Sequence, residues 1–525
     1  MNRAWSIWSE VLQRYGSTGY NACVIFPRCH RTPLLFLVAL LLVTPASWGQ
    51  ESRGSYFREI RQAVTDEDEE RLFVLARADP WAFREVTNRL ADLALNQTLD
   101  SNDRDAIGGY NRFVVAGLLA SIYLQVTEDR TLADRLRFMR DWTPADLEER
   151  RAVDELMARA DMDPSVSVRD LEKSVTTCRR LQDERCVGML HGSAGSLLER
   201  GGHPQMAGLH YEKAAEAFRH AGELPRLRDA LLARGQLLLG ERHYAMAADA
   251  LGAAGAIAEA VNDPAAQAGS LLLLGEALVA DGRLSQALAA LARSRDVALA
   301  ADLPVLAARA IVVRTGLRDA EGPMAGTATD YEVAARLAEK GQDRILVSRA
   351  YLEAARAHAA VGDPEVGAAD IEKALAAARL AGFQEGLEGM LLLSAEFHGR
   401  IGDVTRALRR VDEAITFFRA GDDRAGEARA NEQKGSILLE AERLAEARPP
   451  LAEAVRLARD AGDLKVEGRA EGGLAVLALI AGNKDEARQR YRHSAELLEK
   501  AGDSFQAMRM RHLLEAIETP STPEP

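Results

Sequence analysis

From residue 188 to residue 518 the apolar positions return three or four residues apart. That is the spacing of one face of a helix. Segments such as GSLLLLGEALVADG (269–282) and LSQALAALARSRDVALAAD (284–302) alternate with short turns containing glycine, such as Asp281–Arg283. No run of alternating apolar and polar residues of the strand type stands out. The pattern therefore predicts pairs of amphipathic helices and an all-α chain.

The pairs repeat. Stepping by forty from Ala207 gives Ala247, Ala287, Thr327, Gly367, Ala407, Ala447 and Ala487. Seven residues further on stand Ala214, Ala254, Ser294, Ala334, Ala374, Ala414, Ala454 and Ser494. A third small column runs Gly195, Gly235, Gly275, Thr315, Ala355, Ala395, Gly435, Ala475. A fourth column is large: Tyr211, Leu251, Leu291, Tyr331, Ile371, Val411, Leu451, Tyr491. Small columns mark places where two helices come too close for more than a methyl, and the large column fills the gap beside them. One such pair cannot bury its apolar faces alone, but stacked neighbours can.

Two copies depart from the pattern. In 308–347 the turn reads EGPMAGTA, with Pro323, which predicts a shortened second helix. In 428–467, Pro449 and Pro450 fall within the second helix. Each proline removes an amide donor, at a cost of about 3 kcal/mol, so that helix is expected to start late or kink.

The small–small–large–small signature (Gly235, Ala247, Leu251, Ala254 in one copy) resembles the tetratricopeptide repeat. The usual unit of that family is about 34 residues. Here six further residues are expected to lengthen the connection between units, as in 40-residue variants of bacterial regulators and of CHAT-domain proteins. The resemblance implies a right-handed superhelical solenoid of antiparallel helix pairs. The expected organisation is a leader at 1–49, an unassigned helical region at 50–147 and a divergent repeat-like unit at 148–187. Eight 40-residue units follow at 188–503. A capping helix at 504–518, with Phe505, Met508 and Ile517 on its packing side, and a disordered tail at 519–525 complete the chain.

The leader rests on Leu34–Val43, an unbroken apolar run preceded by Arg28 and Arg31 and followed by small residues at Ser47 and Gly49. This is a secretory signal pattern with cleavage expected between Gly49 and Gln50. The expected location is periplasmic or secreted; an uncleaved run would instead anchor the chain to a membrane. The net charge of −13 argues against a nucleic-acid partner, since an acidic chain repels phosphate. Of four cysteines, Cys23 and Cys29 lie in the leader. Cys178 and Cys186 flank an expected helix–helix turn, where either a disulfide or two buried thiols would fit.

Motifs for chemistry are absent. There is no phosphate loop, no HExxH and no GxSxG. His358 and His398 share one column of the repeat and His203 and His243 another. The first two are expected to be packing residues and the second two to lie in exposed turns, with no metal and no cofactor. Asp422 and Asp423 read as solvated loop charges.

Function is therefore expected to lie in binding. The resemblance implies that the first helices of the units line a groove that holds partners. Its positions here give Arg309, Arg349, Arg356, Arg429 and Arg469 as polar contacts and Leu232, Leu272, Leu352 and Leu392 as an apolar floor. Pairing of these arginines with glutamates such as Glu396 and Glu432 would leave them a solvated face. Gly192 and Ser196 stand where chaperone-tail binders of the family carry lysine and asparagine, so such tails are not expected as ligands. The expected function is a non-enzymatic scaffold that takes an acidic or amphipathic segment of another protein. The alternative is a regulatory subunit of a separate effector, such as a CHAT-type protease.

Overall fold

The computed structural model describes residues 51–98, 103–160, 163, 166–319, 326–383 and 386–518. The leader run, the Gly49/Gln50 cleavage position and the tail 519–525 lie outside the described residues. Among those described there are twenty-four helices and no strand. The chain divides into two compact units, Met1–Arg283 and Leu284–Pro525.

The first unit opens with six helices of unequal length: α1 (Glu51–Thr65), α2 (Glu69–Ala78), α3 (Pro80–Thr98), α4 (Asp103–Thr127), α5 (Thr131–Arg140) and α6 (Pro144–Ala160). They share one core around Ile60, Leu72, Phe83, Leu90, Leu119, Ile122, Leu132 and Trp142. Leu181, far downstream, belongs to this core, and its carbonyl accepts the Trp142 indole N–H at 3.2 Å. The region expected at 50–147 is thus a helical bundle built onto the start of the repeats. Helix α6 begins at Pro144 rather than near 148, because Thr143 and Asp146 cap it reciprocally, at 2.8 and 3.2 Å.

Regularity follows. In the first unit come α7 (Val168–Arg180), α8 (Glu184–Arg200), α9 (Pro204–His220), α10 (Leu224–Gly240), α11 (Tyr244–Ala260) and α12 (Pro264–Ala280). The second unit holds α13 (Leu284–Ala300), α14 (Pro304–Asp319), α15 (Thr327–Lys340), α16 (Arg344–Val361), α17 (Pro364–Ala381), α18 (Leu387–Arg400), α19 (Val404–Ala420), α20 (Arg424–Glu440), α21 (Leu444–Ala461), α22 (Leu464–Ile480), α23 (Lys484–Lys500) and α24 (Ser504–Glu518).

Most of these helices are 17 residues long, and the turns within a pair match the turns between pairs. The six extra residues therefore lengthen the helices and not the connection, which corrects the expectation. The cause is one turn used throughout. Its middle residue is left-handed, as at Gly202, Gly222, Asn262, Gly402, Gly462 and Gly482. The next amide reaches back five residues, as from His203 to the Leu198 carbonyl at 2.8 Å and from Asn483 to that of Ala478 at 2.9 Å. The same residue then caps the next helix. The carboxylates of Asp183, Asp263, Asp343, Asp403 and Asp463 accept the backbone N–H three residues on. The Asp183 cap starts α8 at Glu184, so the boundary expected at 188 falls inside a helix.

The packing columns are buried as the pattern requires. Ala207, Ala247, Ala407, Ala254, Ala414 and Leu251 are fully buried. A Cβ on Gly235 would lie 2.6 Å from the Leu251 side chain, so hydrogen is the largest group that position admits. Helix α15 is short, at 14 residues, as its turn predicts. Helix α21 is not: it starts in register at Leu444 and runs through Pro449 and Pro450. Arg443 and Glu446 clamp its first turn at 2.6–2.9 Å, and Pro450, Leu451, Ala454 and Val455 are buried against neighbours. That burial outweighs the missing amide donors.

Helix α24 covers the last pair with Ala507, Met510, Leu513, Leu514 and Ile517, while Phe505 and Met508 face solvent. The face expected from Phe505 and Met508 is thus rotated. Met510, Leu513, Leu514 and Ile517 take the places against Tyr491 and Ala487 instead.

Candidate functional site

In the second unit, first helices of consecutive pairs lie side by side: α14 beside α16, α18 beside α20, and α20 beside α22. The predicted polar column runs along them. Arg309, Arg349, Arg356, Arg429 and Arg469 are all exposed. Their partners differ from those expected. Arg309 reaches the Asp343 cap at 3.3 Å, Arg356 holds Glu353 at 2.8 Å, and Arg469 lies 3.9 Å from the Asp503 cap. Arg349 and Arg429 have no ion pair among the described residues. Neither Glu396 nor Glu432 forms a salt bridge with any of the five. Burial pushes the Glu432 carboxyl up, against the opposing pull of Arg469 and Ser436.

The apolar floor is partly where it was expected. Leu352, on the helix of Arg349 and Arg356, and Leu392, on the next first helix, are half-buried and rest on the core of the second unit. Leu232 and Leu272 belong to the first unit. Leu232 is half-buried, but Leu272 is a core residue with only 6% of its surface exposed, which corrects its assignment as a contact. In the first unit the polar column holds Asp229, itself engaged by Arg228 at 2.7 Å.

Cys178 ends α7, Cys186 opens α8, and their sulfurs are bonded across the turn, with Cα atoms 5.8 Å apart. His203 and His243 stand in exposed turns just before α9 and α11, and neither side chain caps its helix. His398 is buried with Nε2 3.3 Å from Glu372. His358 lies between two carboxylates, Glu332 at 3.3 Å and Asp370 at 3.7 Å.

Sequence reasoning missed an extended buried network of charge among the described residues. Within the first unit nine side chains form an unbroken line of alternating sign: Asp129, Arg84, Glu223, Arg185, Asp92, Arg135, Asp183, Arg150, Asp154. Arg84 donates to Glu223 at 3.0 Å, Asp129 at 2.9 Å and the Ala221 carbonyl at 2.6 Å, and it lies over the Tyr123 ring. Arg135 and Arg185 share Asp92, each at 2.7 Å. Arg150 donates to Asp183 at 3.0 Å. Asn88 bridges Glu223 and Arg135 at 2.8 and 2.7 Å.

All four arginines are buried, as are Asp183 and Glu223. Burial pushes the carboxyls of Asp92, Asp183 and Glu223 up, but the guanidiniums around them override it and hold all three below the usual carboxylate range. Asp183 and Glu223 occupy the N-cap positions of α8 and α10, so the line fastens the N-terminal bundle to the starts of two first helices. The only sequence signal was an arginine beside apolar residues, as at Phe83–Arg84 and Arg185–Cys186. Its partners stand up to 139 residues away.

No family model matches the chain, and no curated protein matches it. Solved structures give distant likenesses. A signal-transduction ATPase with a tetratricopeptide repeat sensor from Pyrococcus horikoshii is 11% identical, with a TM-score of 0.44 over 89% of this chain and 74% of its own. The apo quorum sensor NprR of B. thuringiensis is 12% identical, with a TM-score of 0.34 over 71% of this chain and 100% of its own. The TPR2AB domain of yeast Sti1, solved with pHSP90, is 15% identical, with a TM-score of 0.22 over 63% of this chain and 98% of its own. On the evidence of its own helices and packing columns, the chain is an all-α, tetratricopeptide-like array of helix pairs.

Proposed function

We propose that the chain is a non-catalytic scaffold that holds an acidic segment of another protein along the first helices of its second unit. The observation that carries this reading is the state of Arg349 and Arg429. Both are exposed, both lie in the same column of the repeat, and neither has an ion pair among the described residues, while Arg309, Arg356 and Arg469 do. A guanidinium with no internal partner keeps all its donors for a carboxylate from outside, and can grip it with two parallel bonds. Half-buried Leu352, on the helix of Arg349, and Leu392, on the first helix between those of Arg349 and Arg429, offer apolar contact.

The test is capture of binding proteins by the parent and by the Arg349→Glu/Arg429→Glu double variant, at low and high salt. Helicity should be unchanged, while captured partners weaken in the variant, and in the parent as salt rises. Equal capture by both proteins at both salt levels would make the column a solvated face.

Export belongs to the same proposal. It is supported by the Leu34–Val43 run and by the Cys178–Cys186 pair, since disulfides persist in oxidising compartments. N-terminal sequencing of the exported protein should begin at Gln50. Residues upstream of Leu34 on that product would point instead to an uncleaved anchor.

A further inference from the structure

We propose that Glu332, His358 and Asp370 form a binding site for a divalent transition cation, with zinc as its reference ion, clasping three consecutive helices of the second unit. Glu332 stands on α15, His358 on α16 and Asp370 on α17. Their ligand atoms all lie within 4.8 Å of one another. His358 Nε2 is 3.3 Å from Glu332 Oε1 and 3.7 Å from Asp370 Oδ2. A tetrahedral zinc with bonds of about 2.0–2.2 Å sets its ligand atoms about 3.3–3.6 Å apart. The histidine is therefore already at ligand spacing from both oxygens. Only the two carboxylates, within 4.8 Å of each other, need to close, by up to about 1.5 Å on the same geometry, and Glu332, with 25% of its side chain exposed, is the less enclosed of the two.

Asp370 supplies the independent sign. It is 1% exposed, and its Oδ2 is buried with no hydrogen-bond partner, directed at His358 Nε2. A bare carboxylate oxygen in the interior is costly unless a cation or donor meets it. The other oxygens are engaged elsewhere. Asp370 Oδ1 accepts Lys373 at 2.9 Å, Lys373 itself lying over the Tyr351 ring, and Glu332 Oε2 faces Arg336 at 3.4 Å. Each carboxylate thus gives one oxygen to a side-chain cation on its own helix and turns the other toward His358. The imidazole Nδ1 is buried without a partner, so Nε2 is the atom the carboxylates address.

The repeat provides internal controls. Forty residues on, Glu372 and His398 occupy the equivalent places, but Arg410 stands where Asp370 would be and binds Glu372 through Nε at 3.1 Å. Forty residues back, Ala292 and Arg318 replace the glutamate and the histidine, and Arg318 lies 3.4 Å from Asp330. Each neighbouring copy brings its own guanidinium. The central copy has two carboxylates, an imidazole and no arginine in that place, which is the arrangement an external cation completes. Imidazole with carboxylate oxygens suits zinc and its neighbours, and the fourth position stays open to water.

The test is titration of the metal-free full-length chain with zinc alone, followed by calorimetry and by cobalt substitution, whose visible bands report coordination geometry. One ion per chain is expected, with cobalt in four-coordinate geometry. His358→Gln should abolish that site, and Asp370→Asn, which removes a ligand charge, should weaken it at least ~10-fold, the lower limit seen even for loss of a group that only orients a ligand. Lys373→Ala, which frees Asp370 Oδ1, should tighten it. His398→Gln, in the arginine-filled copy, should leave it unchanged. If Asp370→Asn fails to fold, the parent and Lys373→Ala titrations still decide. No zinc uptake by the parent, uptake unaffected by His358→Gln, or equal loss on His398→Gln would each overturn the proposal. None of these outcomes depends on Arg349 or Arg429, so the scaffold reading stands or falls separately.

Discussion

Arg84, Arg135, Arg150 and Arg185 of the first unit are all buried, whereas Arg309, Arg349, Arg356, Arg429 and Arg469 of the second all stand in solvent. The residue type is the same and the physical situation is opposite. In the first unit each guanidinium is enclosed by carboxylates from distant segments, and the line of charge joins an irregular bundle to a regular array. In the second unit the arginines fall in periodic columns, their partners are caps or near neighbours, and two of them have none. A buried charge is tolerable only with its partner in place, so the first set is fixed by structure. An exposed charge gains little from pairing, so the second set is free to serve binding.

The comparison breaks most easily at Asp183, which meets both Arg150 and Arg135 and caps α8. Asp183→Ala takes one partner from each of two buried guanidiniums, leaving Arg150 with Asp154 and Arg135 with Asp92 and Asn88, removes the α8 cap, and should cost about 3–5 kcal/mol. Urea denaturation followed by circular dichroism checks this. A loss below about 1 kcal/mol, the scale of a surface pair, would erase the distinction between the two arginine sets.

Packing columns should not respect that distinction. Ala254→Leu in the first unit and Ala414→Leu in the second each overpack a fully buried position, at a cost of about 1–3 kcal/mol. Similar midpoint shifts would show that the repeat is one device in both units. An unchanged midpoint for either would refute the register of the columns.

Acid should sharpen the contrast. Burial, with His210, Lys213 and Arg179 nearby, lowers His191 to about 4, and its Nδ1 lies 3.2 Å from that of His210. The folded value lies below the ordinary histidine value of 6.5. The stability this group contributes is therefore complete above pH 6.5 and lost as pH falls toward 4. Asp92, Asp183 and Glu223 are also held low, so their contribution is complete above the usual carboxylate range and lost as pH falls from that range through their folded values. Thermal melts across this range should show the earlier loss in the parent and a flatter curve in His191→Gln. Identical curves would remove the histidine from the account.

The smallest effect belongs to the exposed column. Arg349→Glu and Arg429→Glu should each change stability by no more than about 0.5 kcal/mol, read from the same denaturation curves. A larger loss would mean that these arginines hold the fold together, and the two sets would no longer differ in kind.

The period of forty was legible because packing demands the same residue sizes at the same places in every pair. Glycine facing Leu251 and alanine at 254 report helix contacts directly. The twenty-residue step of the turns was also written in the chain, as glycine, asparagine or aspartate before most caps. It was masked by Arg242, Gln342 and Glu442, which adopt the left-handed turn without being glycine. Helix α21 shows the limit of a local rule: two prolines predicted a late start, and burial of Pro450, Leu451 and Val455 overrode them.

The sequence by itself determined that this protein is helical, paired and periodic, because size and polarity at fixed spacing act on near neighbours. Only the tertiary structure decided which arginines are buried, which carboxylate meets which guanidinium, and which copy of the repeat leaves Asp370 bare beside His358. Those outcomes depend on groups that the fold brings together from tens of residues to well over a hundred apart. In water a charge on a helix looks the same whether its partner is a distant carboxylate, a solvent molecule or another protein. Enclosure by neighbouring helices is what tells them apart.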